Sequence, residues 1–237
     1  MHLSAKISVV MPVYNEAGSL DQIISSVLGL ENPVVHELIV VDDGSTDGSA
    51  HCAEVWAARD SRVRVFSQPC NLGKGAALRR GFAEVSGDVM IVQDADLEYD
   101  PTEYSRLLQP IWDGRADVVY GSRFVGMNAH RVLFFWHSIG NRGLTLLSNA
   151  FTNLNLTDME TGYKVIRTDV LKQIELKENR FGVEVELTAK LARLGVRIYE
   201  VGISYYGRTY QEGKKIGWRD GVHAIWCVLK YNCFHHG

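Results

Sequence analysis

Two aspartates one residue apart, Asp94 and Asp96, follow the apolar run Val89-Met90-Ile91-Val92. Carboxylates placed this way at a strand end suit Mg2+ or Mn2+, which prefer oxygen ligands and keep part of their shell for water and substrate phosphates. Glu98, two positions further on, offers a third oxygen. Alone, an Asp-x-Asp pair is a weak signal, because Asp-rich turns are common caps. Here three more polar clusters close apolar runs: Tyr14-Asn15-Glu16, Asp42-Asp43-Gly44-Ser45-Thr46-Asp47 and Asn71-Leu72-Gly73-Lys74-Gly75. Acids such as Asp43 after a strand can accept hydrogen bonds from ribose hydroxyls or a base edge. Thr46 and Asp47 suit a turn and helix cap. The 71–75 segment opens a helix and could hold an anion on its backbone amides, with Lys74 a candidate donor-binding residue. It lacks the G-x-x-x-x-G-K-[ST] spacing, which argues against phosphoryl transfer from ATP.

The elements that must position these residues are legible nearby. Lys6–Val13, Glu37–Val41, Arg62–Phe66, Asp88–Gln93 and Asp117–Tyr120 read as strands. Helical spacing separates them: Leu20, Ile23, Ile24 and Val27 after a cap at Asn15, then about Gly48 to Arg59, about Gly75 to Val85, and a helix opened by Pro101. Alternating strands and helices joined by short loops imply an α/β fold, a mostly parallel sheet with helices on both faces. Ligands in such sheets bind beyond the carboxyl ends of the strands, where the four polar clusters fall.

After Arg123 the rhythm changes. Arg131–Leu156 carries Leu144, Leu147, Phe151 and Leu154 at helical spacing and suggests one or two amphipathic helices. Phe134, Phe135 and Trp136 fit either a core or an interfacial helix, where aromatic residues and Arg sit at headgroup level. Tyr163–Arg167 and Arg197–Val201 read as strands, and Val183, Leu187, Leu191 and Leu194 mark a helix ended by Gly195. The tail from Tyr206 is basic, then apolar around Ala224–Leu229. One domain over 1–237 is expected, with the four polar clusters in a half at 1–123 and the amphipathic helices and basic tail in a half at 124–237.

Net charge is −3 over 237 residues, so nothing draws the chain as a whole to nucleic acid. The four cysteines form no C-x-x-C pair, which fits reduced thiols in a cytoplasmic protein better than structural zinc. No signal peptide and no run of about 18 apolar residues is seen, so a membrane role would be peripheral.

Together, Pro12-Val13-Tyr14-Asn15-Glu16, Val41-Asp42-Asp43-Gly44-Ser45-Thr46-Asp47, Asn71-Leu72-Gly73-Lys74-Gly75 and Gln93-Asp94-Ala95-Asp96-Leu97 resemble family 2 glycosyltransferases in order and spacing. The likeness is greatest to the branch that makes dolichyl- and polyprenyl-phosphate mannose or glucose. It implies a GT-A (Rossmann-like) fold, a divalent cation, and inversion at the anomeric carbon. By the resemblance, Pro12, Tyr14, Glu16 and Asp43 line the nucleoside pocket, and Asp94 and Asp96 serve metal and pyrophosphate. Glu98 stands where relatives often have Gln. Gly121-Ser122-Arg123 follows the fifth strand as in those synthases, and Arg142 lies where relatives hold the acceptor phosphate. Arg208 and Gly213-Lys214-Lys215-Ile216 resemble a basic tail loop that closes over the donor pyrophosphate; Lys214 replaces the usual Ser and leaves Lys215 in register. Leu156–Tyr163 matches an acidic turn, with Asp158 shared and Glu160 less general.

The resemblance implies a UDP- or GDP-hexose donor and a polyprenyl or dolichyl phosphate acceptor, used at the inner face of the membrane. Retention there would require an integral-membrane partner protein. A phosphate acceptor is already ionised and needs no strong base; a sugar hydroxyl would need Asp158 or Glu160 to take its proton. Two other readings stand beside this one: a soluble family 2 enzyme acting on a glycan or small-molecule hydroxyl, and a sugar-nucleotide-binding protein without turnover. A nucleotidyltransferase would show a basic Gly-rich loop after the first strand, which Tyr14-Asn15-Glu16 does not provide.

Overall fold

The computed structural model describes residues 5–126, 131–132, 134–208 and 218–234. Its sheet runs β3-β2-β1-β4-β6-β5-β7. The strands are β1 (Ile7–Val13), β2 (Val35–Asp42), β3 (Val63–Ser67), β4 (Val89–Val92), β5 (Val118–Ser122), β6 (Lys164–Arg167) and β7 (Ile198–Gly202). Only β6 runs against its neighbours β4 and β5; every other pair is parallel. The Val9–Val13 part of β1, β4 and the Leu38–Val41 part of β2 are continuous apolar runs because both faces of the sheet are covered. Val9 and Met11 point to the side packed by α1 (Leu20–Leu28), α2 (Ser49–Arg59) and α4 (Tyr104–Trp112). Val10, between them, points to the side packed by α3 (Lys74–Phe82), and later in the chain by α7 (Val183–Leu194) and α8 (Trp218–Leu229). The short α6 (Thr168–Leu171) follows β6, and α5 (Phe135–Thr152) lies against α7 and α8.

The expected α/β architecture is present, with strand boundaries within about two residues of those read from the pattern. One local expectation differs. Asn15 does not cap α1, which starts at Leu20; it adopts a left-handed φ of 52°. Its Oδ1 instead accepts the Thr46 amide at 2.8 Å, bracing the 42–47 turn. The apolar stretch at 224–229 belongs to α8.

From β1 the chain steps outward to β2 and β3, then returns to place β4 on the other side of β1. The reversal between β1 and β4 is where such sheets open a crevice. β1–β4 pairing ends at Val10↔Val92, while β1 continues beside β2 to Val13. Pro12 thus lies past the β4 ladder and costs it no hydrogen bond.

Glu37 locks the far end of β2 to its neighbours. It is buried and accepts from Ser8 Oγ at 2.6 Å, from the Ser86 amide and hydroxyl at 2.7 and 2.8 Å, and from Arg64 Nη1 at 2.9 Å. Burial opposes its charge, but these donors lower its pKa from 4.5 to about 2. A depressed carboxylate stabilises the fold fully above the unfolded value of 4.5, and the benefit drains away as pH falls toward about 2. Glu37→Gln is expected to flatten that acid limb. Urea melts across pH 7 to 3 check this, and an unchanged slope would refute it.

Candidate active site

The crevice forms a cleft of about 410 Å3 at the carboxyl edge of the sheet. Pro12, Tyr14 and Glu16 reach it from the end of β1, Asp43 from β2 and Lys74 from the start of α3. Asp94, Asp96 and Glu98 come from the turn after β4, Arg123 from the end of β5, and Arg208 from the segment after β7. Arg142 and Asp158 are not part of the lining, and Lys215 lies outside the described residues.

The acidic turn is built under strain. Leu97, between Asp96 and Glu98, has a φ of 61°, a region costly for a bulky side chain. Asp94 receives the Lys74 ammonium at 2.8 and 3.0 Å. A Cβ on Gly162 would lie 2.3 Å from Asp94 Oδ2, so only glycine leaves room for this carboxylate. Asp96 is pushed up to about 7, first by burial and then by the charges of Asp94 and Glu98, with Arg208 pulling the other way. Crowded carboxylates of this kind suit a divalent cation, and the oxygen-only donor set of Asp94 and Asp96 fits Mg2+ or Mn2+.

Glu98, the expected third metal oxygen, also has a task across the cleft. Its Oε1 accepts the Arg208 amide at 2.6 Å and its Oε2 accepts the Tyr205 hydroxyl at 2.8 Å. Its backbone carbonyl takes the Tyr206 amide at 3.0 Å. Glu98 therefore latches the 205–208 segment across the cleft. That latch delivers Arg208, whose guanidinium meets Glu16 at 3.0 and 3.1 Å and Asp96 at 3.0 Å. Arg131 helps by donating to the Gly207 carbonyl at 3.1 Å.

Asp43 lines the cleft and also shapes it. Its carboxylate accepts from Gln68 Nε2 and Asn71 Nδ2, both at 3.0 Å, and from the amides of Leu72 and Gly73 at 2.9 and 2.8 Å. Burial raises its pKa despite those donors.

Asp158 differs more from expectation. It is fully buried and held two-pronged by Arg123, with Nε–Oδ2 at 2.6 Å and Nη2–Oδ1 at 2.7 Å. The Arg123 amide at 3.0 Å and Asn141 at 3.1 Å add to this. A carboxylate so engaged and shielded from the cleft is not placed to take a proton from substrate. It orients Arg123. Arg142 is exposed on α5, with its guanidinium 5.4 Å from the centre of the Phe124 ring; Arg123 lies 5.9 Å from the same ring. Phe124 therefore gathers two guanidinium groups beside the cleft.

Several lining residues were not foreseen from the sequence: Tyr99, Arg180, Phe181, Glu184 and Tyr205. Glu184 lies 3.4 Å from Lys74 and pairs with the buried Lys164, so a charge relay runs from Lys164 to Asp94. The one available signal was a pair of acids, Glu184 and Glu186, interrupting the apolar run of α7, and acids are ordinary in a first helical turn. Glu160 lines the cleft too. Burial, then Glu184, pushes it up to about 7, and its Oε1 has no hydrogen-bond partner among the described residues.

Residues 8–175 match the family model described as glycosyl transferase family 2. The chain is 34% identical over 226 residues to the undecaprenyl-phosphate mannosyltransferase of Micrococcus luteus, covering 90% of this chain and 88% of that one. It is 31% identical over 221 residues to the polyprenol monophosphomannose synthase of Mycolicibacterium smegmatis, covering 88% and 80% respectively. Among solved structures it resembles glucosyl-3-phosphoglycerate synthase from Mycobacterium tuberculosis in complex with Mn2+, UDP and glucosyl-3-phosphoglycerate. That match has a TM-score of 0.74 and 25% identity over 97% of this chain and 80% of that one.

Proposed function

The chain belongs to glycosyl transferase family 2 and is a glycosyltransferase, and on that premise we propose that it moves a hexose, with inversion, from a nucleotide diphosphate sugar to a polyprenyl or dolichyl phosphate. The whole chain is read as one transferase domain. The carrying observation is the meeting of two charge patterns at one cleft: Asp94 and Asp96 inside it, and the guanidinium groups of Arg123 and Arg142 around Phe124 beside it. On the donor side, Pro12, Tyr14, Glu16 and Asp43 receive the nucleoside. Asp94 and Asp96 would hold Mg2+ or Mn2+, which when bound would supply neutralising charge to the leaving diphosphate. Arg208 adds positive charge at the same place. On the acceptor side, Arg123, locked by Asp158, and Arg142 orient a phosphate oxygen toward the anomeric carbon. That oxygen is already ionised, so no group need remove a proton.

A membrane-bound acceptor fits the surface. Phe135, Trp136, Ile139 and Leu146 are exposed on α5, and Val222, Ile225 and Trp226 are exposed on the adjoining α8; Trp136 is 78% accessible. Among the described residues no helix is long and apolar enough to cross a bilayer. This face would dock peripherally on a lipid surface beside Arg142.

A second reading has one observation in its favour. Glu160 lines the cleft, and its raised pKa suits taking a proton from a hydroxyl acceptor. Radiolabelled GDP-mannose and UDP-glucose, offered with Mg2+ or Mn2+ to vesicles containing polyprenyl phosphate, separate the two. Label is expected in the organic extract, with Glu160→Gln retaining most of the rate. Label only in a water-soluble product, abolished by Glu160→Gln, would overturn the lipid-phosphate reading in favour of the hydroxyl one.

A further inference from the structure

A second cluster of ligand-type side chains lies away from Asp94 and Asp96, where α8 meets the loop before α7. Glu178, His223 and Cys227 bring one ligand atom each to within 4.8 Å of the others. His223 Nε2 is 3.1 Å from Glu178 Oε2 and 3.4 Å from Cys227 Sγ. His223 and Cys227 sit four residues apart on α8, hence on one face of the helix. We propose that these three side chains form a Zn2+ site that staples α8 to the loop flooring the cleft.

Three observations carry this beyond proximity. First, both contacts fall on the same imidazole nitrogen. A Cys-His-acid relay places nucleophile and acid on opposite ring nitrogens. A single nitrogen cannot donate to Glu178 and accept from Cys227 at once. As hydrogen bonds, that nitrogen can serve only one of its two neighbours; as ligands, all three side chains gather their atoms around one point. Second, His223 Nε2 stands 3.1 and 3.4 Å from its two neighbours, close to the ligand spacing of the ion. Zinc–ligand bonds of about 2.0 to 2.3 Å at tetrahedral angles separate ligand atoms by roughly 3.3 to 3.6 Å. Third, the space is kept open. A Cβ on Gly182 would lie 2.5 Å from Cys227 Sγ and 3.3 Å from both Glu178 Oε2 and His223 Nε2. Gly182 faces all three ligand atoms and carries no side chain.

The surrounding groups orient the ligands as outer partners of a metal site do. Glu178 Oε1 is taken by Lys230 at 2.6 Å and the Tyr231 hydroxyl at 2.8 Å, which leaves Oε2 for the cluster. The Glu178 amide is fixed by Glu186 at 2.7 Å. The fourth position is open to water, and His223 is exposed enough to admit the ion. Burial, then Glu178, pushes the Cys227 thiol up to about 12, so binding must displace its proton. The loop tied down by this site carries Arg180 and Phe181, which line the donor cleft. The staple thus joins α8, at the proposed membrane face, to the donor site.

The test uses the full chain with Cys70 and Cys233 changed to Ser, removing the two exposed thiols. Zn2+ is titrated against a chromophoric chelator, and Co2+ serves as the spectroscopic probe. The expected result is one Zn2+ per chain retained by Asp96→Asn, with a sulfur-to-cobalt charge-transfer band and strong tetrahedral visible bands. His223→Gln and Cys227→Ser should each weaken binding by more than the roughly 10–100-fold that loss of an outer partner costs. His223→Gln alters an exposed side chain and keeps the readout valid if Cys227→Ser folds poorly. Equal Zn2+ affinity in native and His223→Gln chains, or a cobalt spectrum without the sulfur band, would overturn the proposal.

Discussion

Asp96→Asn is expected to lower kcat/KM for sugar transfer by about a thousandfold, roughly 4 kcal/mol of lost transition-state stabilisation, while leaving the fold intact or firmer. The substitution keeps the shape of the side chain and removes the charge that Asp94 and Glu98 crowd. The sign of the stability effect follows from the raised pKa. A carboxyl pushed from 3.8 up to about 7 is disfavoured in its ionised form by the folded state. Its charge therefore lowers stability above pH 7, and that penalty disappears as pH falls toward 3.8. Asn carries no such penalty, so the variant should melt no lower than the parent at pH 8. Lower activity with undiminished Tm separates a functional carboxylate from a structural one. Initial rates with Mn2+ and parallel thermal melts check it. Turnover within tenfold of the parent would remove Asp96 from the metal site.

Asp158→Asn should behave in the opposite way, with a large loss of both stability and rate. Arg123 and Asp158 form a buried pair, and taking one charge away leaves the other unpaired, at a cost of about 3–5 kcal/mol. In a chain of this size that corresponds to a fall in Tm on the order of 10 °C. Rate falls because Arg123 loses its two-pronged anchor and no longer aims its guanidinium at the acceptor phosphate. Arg123→Lys should not substitute, since an ammonium cannot reproduce the two parallel bonds to Asp158. Acceptor KM should rise more than donor KM, and the pH–rate profile should keep its shape. A lost acid limb with unchanged Tm would instead make Asp158 a proton acceptor.

These two aspartates also mark how far residue patterns carry. Asp96 follows an apolar strand, and a strand followed by a polar turn is specified within a few positions. That is why β1 to β4, their polar ends, and the gathering of Tyr14, Asp43, Lys74 and Asp94 at one edge were legible in advance. Asp158 looks the same in sequence, yet its role depends on Arg123, 35 residues earlier. Glu98 likewise reads as a metal ligand beside Asp96, but its oxygens go to Tyr205 and Arg208, more than a hundred residues away.

By itself, then, the amino-acid sequence determined the strand–helix order, the edge at which chemistry gathers, and the acidic turn suited to a divalent cation. Tertiary structure alone decided which distant group each carboxylate meets. It also decided that Lys164 and Glu184 back Lys74, and that Glu178 meets His223 and Cys227 across Gly182. The physical reason is range. Strand runs and turn residues act through neighbours a few positions apart, whereas the partner of a charged side chain is chosen by whichever distant segment the packed sheet brings within about 3 Å of it.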